Sequence, residues 1–248
     1  MVKGLDTFQK YFADYEEQYV LIGGAACDIL FESNEVNFRA TRDLDMVLIV
    51  EALTPEFGEK FWKFIVDGKY RNKAINGSNP QFYRFDKPED DNFPKMIELF
   101  CRSDFKLKDA KGITPIHIDD EVSSLSAILL NDDYYKALLN GKEVRKGLSV
   151  LRPEYIILFK AKAYLDLKKQ KDLGEKVDSS DIKKHKKDVL RIASELMLEK
   201  VEELPIAVDA DIHSFIDLLE QEPFDQNSLK RFGLKNEDVV EVLKQVFG

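Results

Sequence analysis

The first apolar positions of the chain recur at helical spacing, which predicts an amphipathic helix over residues 4–17. These positions are Leu5, Phe8, Phe12 and Tyr15. Residues 19–22, YVLI, are then uniformly apolar, and a run of four is too short for a helix, so they predict a buried strand. Gly23 and Gly24 interrupt the run, and good helix formers follow. We therefore expect a strand, a glycine turn and a helix.

The middle of the chain shows strand patterns separated by turn-rich segments. Residues 44–50 have the length and β-branched content of a central strand, and residues 81–87 and 95–101 predict two more. Between them, Thr54 followed by Pro55 has the order of a helix cap and a first-turn proline. Residues 113–150 predict further short strands or turns, most clearly at LSAILL and GLSVL. Together, these segments predict a mixed β-sheet with helices packed on it.

From residue 151 onward the pattern becomes helical. A long helix is expected after Pro153, a second after the polar stretch KDLGEKVDSSD, and two more in the tail, the last one capped by Asn236. This change of character predicts a catalytic domain over residues 1–150 and a helical domain over residues 151–248 that completes its cleft.

Composition narrows the classes of protein to consider. The formal net charge of −9 argues against an extended footprint on duplex DNA, which needs many lysine and arginine contacts to phosphate. The two cysteines form no CxxC pair, and neither a signal peptide nor an apolar run of about 20 residues is present. We therefore expect a reduced, cytoplasmic protein that does not associate with membranes.

Two aspartates stand at the head of the predicted strand over residues 44–50. Asp43 and Asp45 are two residues apart, so in a strand they project from the same face with Cβ atoms roughly 6.5 Å apart. Two neighbouring carboxylates ionise together at low cost only when a cation lies between them. Mg²⁺ or Mn²⁺ fits such oxygen ligands and often binds substrate phosphates as well. The alternative is a solvated turn-capping pair.

Glu98 lies in the middle of an otherwise apolar strand pattern, where a lone ionised carboxylate would be expensive to bury. If this strand pairs beside the strand of Asp43 and Asp45, Glu98 supplies a third metal ligand. Three such carboxylates can hold two ions roughly 3.5–4 Å apart, the arrangement used for in-line displacement at phosphorus.

Gly23 and Gly24 lie between a predicted strand and a predicted helix. Glycines there let the backbone approach a ligand closely, and a helix N-terminus offers unpaired N–H groups to phosphate. A plain tight turn is the more common use of such a pair. Together with an Asp-x-Asp strand and a later acid, however, it forms a specific combination.

This combination resembles the nucleotidyltransferase superfamily that includes DNA polymerase beta. More narrowly, GGAACDIL followed by RATRDLD resembles the AbiEii/AbiGii toxin-type branch, through Ala26, Arg39 and Thr41 as well as the glycines and aspartates. A Lys-x-x-Ala motif at Lys160 and Ala163 and a later Lys187-Asp188 pair also match. Two features depart from the pattern: the third acid is Glu98 rather than Asp, and the arginine that often follows the Lys-x-x-Ala motif is absent.

The resemblance implies an α/β fold, more narrowly α+β, with a nucleotidyltransferase-type mixed sheet flanked by helices and a C-terminal helical domain. It also implies transfer of a nucleoside monophosphate from an NTP to an acceptor hydroxyl, which could belong to a tRNA end, a protein or a small molecule. Asp43, Asp45 and Glu98 would hold the metal. The substrate-binding residues would be Gly23, Gly24, Arg39, Thr41, Lys160 and Asp188.

Two questions stay open at this level. Lys160 lies in an apolar helix stripe, where it could reach a triphosphate or form an internal ion pair with Asp188. The active enzyme could be the toxin of a toxin–antitoxin or phage-defence system, with a cognate antitoxin as its partner. The alternative is a catalytically silent nucleotide-binding or toxin–antitoxin regulatory module with the same fold.

Overall fold

The computed structural model describes residues 2–33, 43–71, 82–100, 128–129 and 131–248. These divide into two compact units: one contains residues 1–126 and 142–151, and the other contains residues 127–141 and 152–248. The chain therefore passes between the units three times. Among the described helices, none is both long and apolar enough to cross a membrane.

The first unit is built on a six-stranded mixed sheet with the described strand order β3-β4-β2-β1-β6-β5. The strands are β1 Tyr19–Ile22, β2 Asp43–Leu48, β3 Phe82–Asp86, β4 Met96–Phe100, β5 Lys142–Arg145 and β6 Leu148–Leu151. Strand β2 runs parallel to β4 and antiparallel to β1, and β1 runs parallel to β6. The helices of this unit are α1 Leu5–Phe12, α2 Gly23–Ser33 and α3 Pro55–Asp67.

Aromatic side chains of α1 and α3 cover one face of this sheet. Phe8 and Phe12 pack on Tyr19 of β1, and Phe61 lies 5.5 Å, centroid to centroid, from Phe85 of β3. Phe85 pairs with Ile97 of β4, and Ile97 pairs with Leu44 of β2, so this face carries these fully buried residues. The alternate positions, which include the acids, point to the opposite face.

The second unit consists of helices. They are α4 Asp132–Asn140, α5 Pro153–Asp172, α6 Ser179–Glu195, α7 Ile206–Gln221, α8 Gln226–Phe232 and α9 Asn236–Phe247. Helix α5 packs against α6 and α7, and α9 packs against α7 and α6. Tyr164 of α5 meets Phe215 of α7 edge to face at 5.4 Å. The expected mixed sheet with flanking helices, followed by a helical C-terminal half, is thus confirmed.

Several element boundaries differ from the prediction. Helix α1 ends at Phe12, because the acidic residues that follow would lie at the negative end of the helix dipole. Ile128 and Leu129, the described part of LSAILL, are helical rather than extended. Asn236 is not the cap of α9: Lys235 precedes the helix, and the Asn236 amide instead bonds to Phe224 N and Leu219 O at 3.0 Å each.

Two short helices were missed, although both carry capping signals. Asn131 accepts hydrogen bonds from Asp133 N and Tyr134 N at the start of α4. Asp225 accepts from Ser228 N at the start of α8, and Gly233 ends that helix in the left-handed conformation.

Candidate active site

The predicted acids meet on one face of the sheet, as the strand pairing required. Asp45 of β2 lies directly opposite Glu98 of β4, and Asp43, two residues earlier, shares its face. We call the sheet face that carries Asp43, Asp45 and Glu98 the acidic face. All three residues are half-buried, whereas the intervening Leu44 and Ile97 are fully buried on the other side.

The diglycine corner lies against Asp45. Ile22, the last residue of β1, pairs with Asp45, and helix α2 begins at the next residue. Gly23 has a φ of +60°, which turns the chain from strand into helix without intervening residues. A Cβ atom added at Gly23 would lie 2.2 Å from Asp45 Oδ2, so only a residue without a side chain fits there.

This arrangement brings a carboxylate and a helix N-terminus together. Gly24 follows as the buried second residue of α2, and the first turn of α2 contains no acidic side chain of its own. Unpaired N–H groups and the positive end of the helix dipole favour an anion at this position. Asp45 is such an anion, and a phosphate group is another.

Sequence reasoning missed one member of the acidic face. Arg84 of β3 lies directly opposite Glu98, and its Nε and Nη2 atoms donate to Glu98 Oε1 at 2.9 and 2.5 Å. The side chains are 25% and 12% exposed, respectively. The alternation of QFYRFDK predicts that Arg84 and the buried Phe85 lie on opposite faces of the strand. That Glu98 is the partner of Arg84 follows only from the pairing of β3 with β4, which begins ten residues after β3 ends.

The donor set suits a hard divalent cation. Asp43 and Asp45 offer carboxylate oxygens from one face of one strand, and both are half-buried, so a bound ion would be partly shielded from water. Mg²⁺ or Mn²⁺ therefore fits these two residues. Within the described ranges, no three Asp, Glu, His or Cys side chains are placed to bind one ion together. Glu98 instead contacts Arg84.

The remaining predicted site residues fall into two groups. Arg39 and Thr41 lie outside the described residues. Lys160 of α5 and Asp188 of α6 meet in the second unit, where Lys160 Nζ lies 3.0 Å from Asp188 Oδ2. Their side chains are 12% and 4% exposed. Of the two alternatives for Lys160, the structure therefore shows the internal ion pair with Asp188. A substrate-binding role for the two residues stays a prediction.

Comparison with known proteins adds a distant likeness. No family model matches the chain, and no curated protein matches it in sequence. A crystal structure of an antigenic nucleotidyltransferase-like protein from Paracoccidioides brasiliensis is similar over 97% of this chain and 93% of that one. The two are 16% identical in sequence, and the TM-score is 0.46.

Proposed function

We propose that this protein is a metal-dependent nucleotidyltransferase that moves a nucleoside monophosphate from an NTP to an acceptor hydroxyl and releases pyrophosphate. The observation that carries the proposal is the contact between Asp45 and Gly23. It unites a carboxylate pair suited to a divalent cation with a helix N-terminus suited to phosphate. A carboxylate pair or a free helix N-terminus alone is common in proteins. Their contact at the ends of two neighbouring central strands suits a metal–triphosphate complex.

In this proposal, Asp43 and Asp45 hold Mg²⁺ or Mn²⁺. The bound ion would neutralise charge on the phosphates and orient them for in-line displacement. The N–H groups at Gly23 and Gly24 bind phosphate oxygens of the NTP. Glu98 lies one strand further across the acidic face, where it can accept a proton from the attacking hydroxyl once Arg84 has released it.

Substitution of Asp43 tests the proposal. Asp43→Ala is expected to abolish transfer of label from NTPs while leaving the thermal unfolding midpoint nearly unchanged, because Asp43 is half-buried at a strand end. Asp91→Ala is the matched control: Asp91 is highly exposed and pairs with Lys3. Retained transfer in Asp43→Ala, measured with Mg²⁺ and each labelled NTP in a cell extract, would remove the assignment.

The acceptor class can be read from the same experiment. Labelled products are separated into RNA, protein and small molecules, and each fraction is compared between wild type and Asp43→Ala. The acidic overall charge favours a protein or a small molecule over RNA, although a tRNA end needs only a small basic patch.

The toxin-type role implied by the resemblance belongs to the same proposal. Induced expression of the wild-type chain is expected to slow growth of a bacterial host, and Asp43→Ala is expected to relieve that effect. An antitoxin would be a partner protein that restores growth when co-expressed with the wild-type chain.

One observation favours the alternative of a silent nucleotide-binding or regulatory module. Glu98, the third acid, is already neutralised by Arg84. Calorimetric titration with Mg²⁺ and each NTP separates the alternatives when it is combined with the transfer assay. Nucleotide binding without transfer to any fraction supports the module, whereas binding with transfer supports the enzyme.

A further inference from the structure

Arg84 and Glu98 form a cross-strand ion pair on the acidic face. Nε and Nη2 of Arg84 both donate to one carboxylate oxygen, Oε1 of Glu98, at 2.9 and 2.5 Å. The two residues lie opposite each other in the antiparallel β3–β4 pair, and both side chains are mostly buried. The partner that the structure gives to Glu98 is therefore a guanidinium.

One edge of the Arg84 guanidinium stays available for a ligand. A guanidinium carries five N–H groups, one on Nε and two on each Nη atom. Glu98 takes the edge formed by Nε and Nη2, whereas Nη1 has no hydrogen-bond partner among the described residues. The edge formed by Nη1 and Nη2 has the two-pronged geometry that matches the oxygens of a phosphate group. Arg84 can therefore bind a phosphate at this edge while Glu98 still holds the other edge.

Arg84 shares its sheet face with the carboxylate that lies at the diglycine corner. Arg84, Glu98 and Asp45 occupy successive strands in register, and adjacent strands lie about 4.8 Å apart, so Arg84 is about 10 Å across the sheet from Asp45. Asp45 in turn lies against Gly23. A triphosphate bound at this corner and the long arginine side chain can together bridge that separation.

A bound triphosphate changes the competition for Arg84. Without nucleotide, the anion beside the guanidinium is the Glu98 carboxylate, which carries a single charge. A triphosphate offers several oxygens and more than one negative charge, and the divalent cation that accompanies an NTP offsets part of that charge against the acidic face. Release from Arg84 leaves Glu98 able to accept a proton from the attacking hydroxyl.

We propose that Arg84 is a phosphate-binding residue that exchanges Glu98 for the NTP, so that nucleotide binding itself releases the Glu98 carboxylate. The phosphate first binds the Nη1–Nη2 edge, and the Nε–Nη2 edge then leaves Glu98. Until the substrate is in place, Glu98 competes with the nucleotide for one guanidinium. This inference rests on the proposed function, because it takes the corner at Gly23 as the site that binds the NTP.

The test is calorimetric titration with Mg²⁺ and non-hydrolysable analogues of the four NTPs. Arg84→Gln is expected to weaken binding roughly tenfold to a hundredfold, the factor that corresponds to one charged hydrogen-bonded contact. Glu98→Gln is expected to tighten binding roughly fivefold, because a neutral amide holds Arg84 less strongly than a carboxylate does. The same variant should lose transfer of label from the NTP. Unchanged or weaker binding in a folded Glu98→Gln variant overturns the proposal.

The opposite directions of these two effects separate the exchange from other uses of the pair. A purely structural ion pair predicts that neither substitution tightens binding, and a metal-ligand role for Glu98 predicts weaker binding in Glu98→Gln. The double variant Arg84→Gln/Glu98→Gln should bind like Arg84→Gln. If Glu98→Gln tightens binding as much without Arg84 as with it, Glu98 repels the nucleotide directly and the proposal fails. Circular dichroism confirms that each variant is folded.

Arg71→Gln provides a charge-matched control. Arg71 pairs with Asp86, which lies two residues from Arg84 in β3, and the paired atoms are 3.5 Å apart. This variant also removes one positive charge but leaves Arg84 with Glu98, so nucleotide affinity close to that of the wild type is expected. A loss as large as that in Arg84→Gln would show that general electrostatics explains the effect, and the proposal would fail.

The wild type distinguishes this inference from the proposed function. If the wild type binds none of the NTP analogues in the presence of Mg²⁺, both are overturned. If the wild type binds an analogue and Arg84→Gln binds it equally well, the proposed function stands and only the role of Arg84 is removed.

Discussion

Gly23 determines where the carboxylate of Asp45 can lie. Its φ of +60° costs an L-residue with a side chain roughly 1–2 kcal/mol, and a Cβ there would collide with Asp45 Oδ2. The glycine is therefore required both by the backbone turn and by the space that the carboxylate occupies.

We expect Gly23→Ala to lower stability by at least the backbone cost of roughly 1–2 kcal/mol and to weaken Mn²⁺ binding, because Asp45 must move. Urea unfolding and Mn²⁺ titration measure the two effects. Gly174→Ala is the control, because Gly174 also has positive φ but an added Cβ would meet open space. Equal loss of metal affinity in both variants would contradict a specific role for Gly23.

At the residue scale, the sequence predicted the three acids but not Arg84, the ion-pair partner of Glu98. Asp43, Asp45 and Glu98 are unusual among apolar strand residues, so their chemistry is visible without a structure. Arg84 looks like an ordinary solvent-facing strand residue until the register places it opposite Glu98. Register depends on pairing between strands distant in sequence, which local patterns do not specify.

Helices α5 and α6 are joined by the buried pair of Lys160 and Asp188. We expect Lys160→Met to destabilise the protein by roughly 3–5 kcal/mol, because it removes the cation 3.0 Å from a carboxylate that is 4% exposed. Lys160→Met/Asp188→Leu should recover most of this loss in urea unfolding. If the double variant also binds NTP like wild type, the pair is structural, and lost binding supports the predicted substrate contact.

The start of α5 carries a buried acid, Glu154, whose Oε1 accepts a hydrogen bond from Glu199 N at 2.7 Å. Burial raises the pKa of Glu154 above its ordinary 4.5, and the hydrogen bond opposes this only partly. The folded state therefore binds the proton more tightly than the unfolded state. The protonated Glu154 side chain therefore contributes fully to the stability of the folded state below pH 4.5. This contribution is lost as the pH rises through the raised pKa.

We therefore expect the Glu154→Gln variant not to lose this stability as the pH rises. Its unfolding midpoint, relative to wild type, should rise as the pH is increased from about 4.5 toward neutrality, because the amide stays neutral and still accepts from Glu199 N. Thermal unfolding over a pH series measures the difference. Glu202→Gln, at an exposed position, should show no such trend, and a parallel trend in both variants would contradict the assignment to Glu154.

At the element scale, most elements were predicted from their apolar patterns, and two helices were missed. The strands β1 to β4 and the helices α1, α3, α5 and α6 follow from apolar patterns. Helix α8 has 7 residues, too few to show a period, whereas α4 has 9 residues with buried positions at helical spacing and was interpreted as short strands or turns. Their caps were the usable signals.

At the scale of the whole molecule, the residues of α4 belong with the helical unit although they precede the β5–β6 hairpin. Tyr134 donates to Asp211 at 3.0 Å, and Asp133 accepts from Ala207 N of α7 at 2.9 Å. A fragment of residues 1–151 contains the six described strands but leaves α4 without α7. We expect this fragment to bind the dye ANS, which the full chain should not. A cooperative melt without dye binding would contradict this.

The position of β6 has a consequence for biosynthesis. Strand β1 lies between β2, which follows it closely in the chain, and β6, which the ribosome makes only after all of α4. The edge of β1 that pairs with β6 therefore stays without its partner strand until nearly the whole sheet has been synthesised. The emerging chain cannot finish its first unit before starting the second, so the order of translation and the order of assembly differ.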